Sequence, residues 1–208
     1  MKFSKELLEL LQSVRTGNVA DNNPNGYVMD SGIRPIDPEL KLIGPALTVS
    51  GKGGDNLYVY HALKQAKEGY VLVIDAKAYC EGGHLGDMVV NDCIRLGMKG
   101  IVIDGSCRDR EDIRKLKFPV FCRGFSPRST TKEFPGTIGQ PIVAGGVPVN
   151  TGDLIFADCD GVVVIPEKDI DDVITNAIRK HEKEEKMQEA MNNGKALIDL
   201  LHFREKLQ

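Results

Sequence analysis

Tyr70-Val-Leu-Val-Ile-Asp75, Gly86-Asp-Met-Val-Val-Asn-Asp-Cys-Ile-Arg-Leu96 and Gly100-Ile-Val-Ile-Asp104 together decide the fold class of this 208-residue chain. The first and last are short, fully apolar, β-branched runs, the pattern of strands buried on both faces. Between them, apolar residues at 88, 89, 90, 93, 94 and 96 predict a buried or near-buried helix. Strand, helix, strand with short connections is a βαβ unit, with parallel strands and a right-handed crossover. Phe118-Pro-Val-Phe-Cys122 reads as a third strand. The expected class is α/β.

Working outward, Gly44-Pro-Ala-Leu-Thr-Val-Ser50 reads as a strand, and a helix is expected from Asn56 to Lys67, broken by Gly69. Residues 5–15 carry apolar side chains at 7, 8, 11 and 14, which is helical spacing, with Gly17 as the stop. Asp21 to Pro38 is dense in Asn, Asp, Gly and Pro and reads as loop. Downstream, Ile138 to Asn150 with a Gly145-Gly146 turn, Leu154-Ile-Phe-Ala157 and Gly161-Val-Val-Val-Ile165 predict a β meander ended by Pro166. A long charged helix follows from Glu167 to Asn192, then a short amphipathic piece after Gly194. Nothing between 44 and 166 resembles a linker. The expectation is one domain over 1–208, with a core at about 40–166 and C-terminal helices at about 167–203.

Composition narrows the function classes. A chain of this size buries roughly 70 % of its unfolded surface and needs no disulfide or zinc staple. Hydrophobic residues make up 41 % and charged residues 27 %, ordinary globular values. Lys and Arg number 27 against 30 Asp and Glu, so the basic face of a nucleic-acid binder is not expected. No apolar run approaches the ~18 residues of a membrane span. Met1-Lys2-Phe3-Ser4-Lys5-Glu6 becomes charged again before a signal-peptide core could form. The expected setting is a soluble cytoplasmic one. The five cysteines, at 80, 93, 107, 122 and 159, form no Cys-x-x-Cys pair and read as free thiols.

Ligands of open α/β sheets collect at the carboxyl edge of the strands. After the first strand comes Gly82-Gly-His-Leu-Gly-Asp87, running into the helix. The leading amides of a helix lack internal partners and face the positive end of its dipole, so they suit a carboxylate or phosphate. Gly86 lets such an anion approach the backbone of Asp87, Met88 and Val89. After the second strand comes Gly105-Ser-Cys-Arg108-Asp109. Arg108 offers a donor fork matched to a carboxylate, and Asp109 offers hard oxygen ligands for Mg²⁺ or Mn²⁺.

Each of these residues also has a structural reading. Asp87 suits a helix N-terminus, Asp109 suits the N-cap of a helix over 110–116, and Arg108 with Asp109 suits a surface ion pair. Asp75 and Asp104 suit turns, and His84 suits a core. Asp153, Asp158 and Asp160 suit either a metal cluster or hairpin turns. Gly51-Lys-Gly-Gly-Asp-Asn56 fits neither the Walker nor the dinucleotide pattern and reads as a turn into a helix, so neither ATP nor NAD is expected.

Asp87, twenty intervening residues and then Arg108-Asp109 resembles the Asp-x20-Arg-Asp signature of class II, metal-dependent 4-hydroxy-4-methyl-2-oxoglutarate aldolases. These belong to the RraA-like family, named after a regulator of ribonuclease activity. The resemblance extends through Gly100–Asp109, Pro119–Gly124, Gly145–Asp153 and Ala157–Pro166, and covers about 40 to 200. It implies a swivelling β/β/α domain assembled into homotrimers or homohexamers with active sites between subunits. It also implies that the amides of Gly86 to Val89 hold a substrate carboxylate, that Arg108 contacts a 2-oxo acid, that Asp109 binds Mg²⁺ or Mn²⁺, and that Asp87 holds a metal-bound water.

Family sites borrow a glutamate from a neighbouring subunit, for which Glu182, Glu184 and Glu185 are candidates. The implied reaction is cleavage of a 4-hydroxy-2-oxo dicarboxylic acid to pyruvate and a second oxo acid, with decarboxylation of oxaloacetate on the side. No Schiff-base lysine is implied, so Lys77 and Lys99 receive no role. The rival readings are a non-catalytic ribonuclease regulator and a lyase acting on a sugar-derived oxo acid.

Overall fold

The computed structural model describes residues 5–203, so the charged extreme N-terminus that spoke against a signal peptide lies mostly outside it. In chain order the helices are α1 Lys5–Ser13, α2 Thr16–Ala20, α3 Leu57–Leu63, α4 Asp87–Arg95, α5 Arg110–Lys115, α6 Ile170–Asn192 and α7 Leu197–Leu200. The strands are β1 Arg34–Pro35, β2 Leu42–Ser50, β3 Val71–Leu85, β4 Gly100–Cys107, β5 Val120–Phe125, β6 Thr137–Ile138, β7 Ile142–Ala144, β8 Val147–Val149, β9 Leu154–Asp158 and β10 Gly161–Ile165. The main sheet runs β1-β5-β4-β3-β2-β9-β10, with β6 paired to β2. Strands β2, β3, β4 and β5 are mutually parallel, as the βαβ reading requires.

The apolar runs explain the layering. Along β3 and β4, Leu72, Ile74, Ile101 and Ile103 point to one face, where they pack on Tyr58, Val59, Val89, Val90, Cys93 and Ile113 of α3, α4 and α5. Val71, Val73 and Val102 point to the other face and meet Ile142, Ala144, Val147 and Val149 of the β7–β8 hairpin. The period of two thus buries both faces, one under helices and one under β structure. This is the expected three-layer arrangement of helices, sheet and hairpin. A third cluster packs α1, α2 and α6 on Leu154, Phe156, Val163 and Ile165 of β9 and β10. The helices at both ends of the chain are therefore docked by their own apolar stripes.

Several boundaries differ from expectation. The first helix ends at Ser13, not at Gly17, which lies inside α2. The Lys41 ammonium closes that end, donating to the carbonyls of Leu11, Gln12 and Val14, a cation where the helix dipole favours one. Helix α3 is shorter than Asn56 to Lys67. Helix α4 is one-sided: Met88 and Ile94 are 76 % and 41 % exposed, although their apolarity suggested burial. Gly145 and Gly146, with φ of 58° and 78°, form the expected tight turn between β7 and β8, because left-handed backbone at both positions is accessible to glycine. All five cysteines are free thiols. No helix among the described residues is long and apolar enough to cross a membrane.

Candidate active site

The first strand does not stop at Asp75. β3 continues to Leu85, and its partners on β4 are Asp75↔Asp104, Tyr79↔Gly105, Gly83↔Ser106 and Leu85↔Cys107. Ten steps along β3 are thus matched by three along β4, with register shifts between each of these pairs. Lys77 and Ala78 take left-handed φ of 59° and 54° to make the first excursion. Bulges of this kind bend a strand and re-aim its end. Here they carry the chain so that the Arg108 amide donates to the Leu85 carbonyl at 2.9 Å. The stretch Gly82–Leu85, expected beyond the end of the first strand, is itself part of β3.

That hydrogen bond sets Gly86 and the start of α4 beside Arg108 and Asp109. One narrow cleft of about 50 Å³ is lined by Gly86, Asp87, Met88, Val89, Arg108 and Asp109, so all six residues singled out from the sequence meet there. Its volume holds roughly three to five water-sized groups. Arg108 and Asp109 also border a shallower depression of about 350 Å³ with Arg110, Phe125, Ser126 and Pro127.

Asp109 occupies the N-cap position of α5, yet its side chain makes no capping hydrogen bond. Its backbone is left-handed, φ 58° and ψ 40°, a conformation that costs a non-glycine residue about 1–2 kcal/mol. Strain of this sort persists where the surroundings impose it, commonly at functional sites. Arg108 Nε stands 3.4 Å from Asp109 Oδ2. The same oxygen lies 2.1 Å from where a Cβ on Gly86 would stand, so only glycine at 86 leaves room for the carboxylate. Asp87 is the first residue of α4, after the N-cap Gly86, and its carboxylate has no hydrogen-bond partner among the described residues.

The other candidates are placed elsewhere. His84 is fully buried; its Nε2 accepts from the Gly54 amide at 3.2 Å, its Nδ1 faces the Ser106 carbonyl at 3.4 Å, and its ring meets Tyr79 edge-on. It is a brace in its Nδ1–H tautomer, not a ligand. Asp75 accepts from Ser50 Oγ and pairs with Lys77, while Asp104 pairs with Arg123 and accepts from the Gly145 amide. Asp153 accepts from the amides of Asn150 and Glu167. Asp158 accepts from Thr16 and the Asp160 amide, so these acids hold turns. Asp158, Cys159 and Asp160 do have ligand atoms within 4.8 Å of one another, but the Asp158 oxygens are already engaged. Glu182, Glu184 and Glu185 are exposed on α6 and line no part of their own chain's cleft. Glu184 accepts from Asn18 Nδ2 at 2.6 Å.

Burial holds the His84 imidazole below its ordinary value near 6.5, partly offset by the Ser106 carbonyl and Asp55. The folded state therefore binds fewer protons than the unfolded chain as pH falls through 6.5, and it loses stability there. As pH falls below 7 the urea midpoint is expected to fall, with the His84 ring carbons passing to charged shifts at a lower pH than a free imidazole in NMR. An ordinary His84 titration near 6.5 would contradict this.

Sequence reading missed Asn56, Tyr60, Ser129, Thr130 and Lys132, which complete the cleft wall. They arrive by long-range pairing. The buried Asp55 carboxylate accepts from Thr131 Oγ1 at 2.6 Å and from the amides of Leu57, Glu133 and Phe134. Burial alone would raise the Asp55 pKa, but these hydrogen bonds together hold it below the usual carboxylate value. The Asn56 amide donates to the Thr131 carbonyl at 2.9 Å. Asn56 Nδ2 donates to the His84 carbonyl at 2.8 Å, whereas its buried Oδ1 has no partner among the described residues. An unmet buried acceptor costs about 1–3 kcal/mol. The one available signal was Asp-Asn before a helix, and it was absorbed by the turn reading.

A family model for RraA-like proteins, described as Aldolase/RraA, matches residues 16–164. The chain belongs to the RraA-like family. A relative in Halalkalibacterium halodurans, named "Putative 4-hydroxy-4-methyl-2-oxoglutarate aldolase", is 40 % identical over 166 residues, covering 80 % of this chain and 79 % of the relative. Among solved RraA-like structures, Streptomyces coelicolor RraAS2, described as an unusual member of the RNase ES inhibitor RraA family, superposes with a TM-score of 0.79 at 30 % identity. That match covers 91 % of this chain and all of the other. An uncharacterized Pseudomonas syringae pv. tomato protein shares the fold, with a TM-score of 0.84 at 24 % identity over 96 % of this chain and 98 % of its own.

Proposed function

We propose that this RraA-like protein is a divalent-metal-dependent pyruvate aldolase. Its substrates would be 4-hydroxy-2-oxo dicarboxylic acids of the 4-hydroxy-4-methyl-2-oxoglutarate type, split to pyruvate and a second oxo acid, with oxaloacetate decarboxylation as a side reaction. The observation that carries this reading is the uncapped Asp109 carboxylate, beside Arg108 and set against Gly86, the residue that opens the nine-residue helix α4. The aldolase name of the 40 % identical relative supports it.

The donor set fits a hard cation: Asp109 and Asp87 supply carboxylate oxygens that no helix amide has taken, and Mg²⁺ or Mn²⁺ needs few protein ligands. Held by Asp109, such an ion would act as a Lewis acid toward the 2-oxo acid. The amides of Asp87, Met88 and Val89 bind the substrate carboxylate, which the helix dipole favours. Arg108 stabilises the negative charge that develops on the 2-oxo oxygen as the C3–C4 electron pair moves toward it. The 4-hydroxyl proton leaves as C4 becomes a carbonyl, C3 takes a proton, and Asp87 positions the water that carries it. The cleft accepts the pyruvyl end, and the open depression beyond Arg108 leaves room for the second oxo acid.

On this reading the cytoplasmic chain acts as one domain in a homotrimer or homohexamer, with a neighbour's α6 glutamate completing each site. A second reading, a non-catalytic ribonuclease regulator, is favoured by the likeness to RraAS2. Against it, a binding module has no use for two uncapped carboxylates and an arginine gathered in one cleft.

The deciding experiment is pyruvate release from 4-hydroxy-4-methyl-2-oxoglutarate and from oxaloacetate, with EDTA and then with added Mg²⁺ or Mn²⁺. EDTA is expected to abolish both activities and metal to restore them. Silence on both substrates with metal bound points to a sugar-derived oxo acid, and failure to bind metal moves the regulator forward.

A further inference from the structure

The depression beyond the cleft is bordered by three charged residues, Arg108, Asp109 and Arg110, and by three that carry no charge, Phe125, Ser126 and Pro127. Arg108 turns its Nε to the Asp109 carboxylate. The Arg110 side chain has neither an ion pair nor a hydrogen bond among the described residues. Its guanidinium lies instead over the Phe125 ring, 4.8 Å from the centroid. An aromatic ring holds a guanidinium through the cation's charge and leaves its N–H donors available to an oxyanion. Arg110 is also the first residue of α5, where the helix dipole disfavours a cation. Helix stability therefore gives no reason for an arginine there.

Resting on the aldolase reading above, we infer that Arg110, held over Phe125, binds the distal carboxylate of the substrate and selects dicarboxylic over monocarboxylic 4-hydroxy-2-oxo acids. Such a substrate carries two full negative charges. The α4 amides and Arg108 serve its pyruvyl half in the cleft, so the second carboxylate enters the depression that Asp109 also borders. Like charges meet there unless a cation offsets them, and beyond Arg108 the lining supplies only Arg110. Its fork matches a carboxylate through two parallel N–H···O bonds. Phe125 is a positioning residue: the ring restrains the fork, so less freedom is lost on binding. The distal carboxylate keeps its charge while the C3–C4 bond breaks. The contact is therefore equally strong before and during cleavage, and it acts on binding rather than on the chemical step.

The matched probe is 4-hydroxy-4-methyl-2-oxopentanoate, in which a methyl group replaces the distal carboxylate of 4-hydroxy-4-methyl-2-oxoglutarate. Wild-type protein is expected to prefer the dicarboxylate at least about tenfold, read as kcat/KM or, if the monocarboxylate is not cleaved, as its competitive Ki against the dicarboxylate KM. In Arg110→Gln, KM for the dicarboxylate is expected to rise about tenfold with kcat within about threefold of wild type, so that the preference falls by the same factor. Arg110→Lys should recover part of it, having the charge without the fork. Phe125→Leu should lower the preference about two- to fivefold, the worth of an exposed cation–π contact. An unchanged preference in Arg110→Gln overturns the inference, as does an equal loss on both compounds, which would make Arg110 merely structural. Wild-type protein without preference overturns it too. Wild-type protein that releases pyruvate from none of these compounds nor from oxaloacetate overturns the aldolase reading itself, which separates the two failures.

Discussion

Asp109→Asn is expected to lower metal-dependent turnover by about 10³-fold, the several kcal/mol that a Lewis acid contributes, while the thermal midpoint moves by no more than about 4 °C. Asparagine keeps the shape of the side chain and tolerates the left-handed backbone at φ 58°. The carboxylate makes no capping bond and is more than one-third exposed, so the fold loses little when its charge is removed. Calorimetric titration with Mn²⁺ reads the same loss directly, without a substrate. Unchanged turnover or unchanged Mn²⁺ affinity would take Asp109 out of the metal site.

Gly86→Ala should be nearly as damaging, for a reason that lies wholly in packing. The Gly86 backbone, at φ −137° and ψ −166°, is extended and open to any residue. The added methyl group meets the end of the Asp109 side chain, with Oδ2 at 2.1 Å, and Arg108 Cγ at 3.2 Å. A carboxylate can swing away from such a contact, so the protein folds and the oxygen is lost from its position. Metal affinity is expected to fall about 10- to 100-fold, the range seen when groups that orient a ligand are disturbed, with the circular dichroism spectrum unchanged. A wild-type Mn²⁺ isotherm in this variant would show that Asp109 does its work from another rotamer.

How far the residues themselves announced this arrangement depended on the range of the interaction. The core of β3 and β4 was legible because β-branched runs at 71–74 and 101–103 need burial on both faces and so imply both layers. The meeting of Gly86 with Arg108 and Asp109 followed from parallel strands ending at one edge, helped by a resemblance in their spacing. The route by which β3 gets there was not legible. Gly82 to Leu85 lacks alternation, and its pairing with β4 rests on register shifts that no local pattern encodes. The cleft wall was hidden for a similar reason. Asn56 and Lys132 lie far apart in the chain and are joined through Asp55, whose carboxylate gathers amides some 78 residues away. The error at α4 was of another kind. Met88 and Ile94 are apolar but exposed, and composition cannot separate a core residue from one left at the rim of a site.

Strand β2 bears on the order in which the chain takes shape. Its residues Leu42–Pro45 pair only with β9, and Ala46–Ser50 pair with β3. During synthesis the second half finds its neighbour within some 25 residues, whereas the first half waits for a strand more than 100 residues downstream. Until Leu154–Asp158 emerges, the backbone of residues 42–45 is an open edge carrying Leu42 and Ile43, able to template pairing with another nascent chain. The β9–β10 hairpin is therefore the last closure of the sheet, and a chain truncated before it would be prone to aggregate.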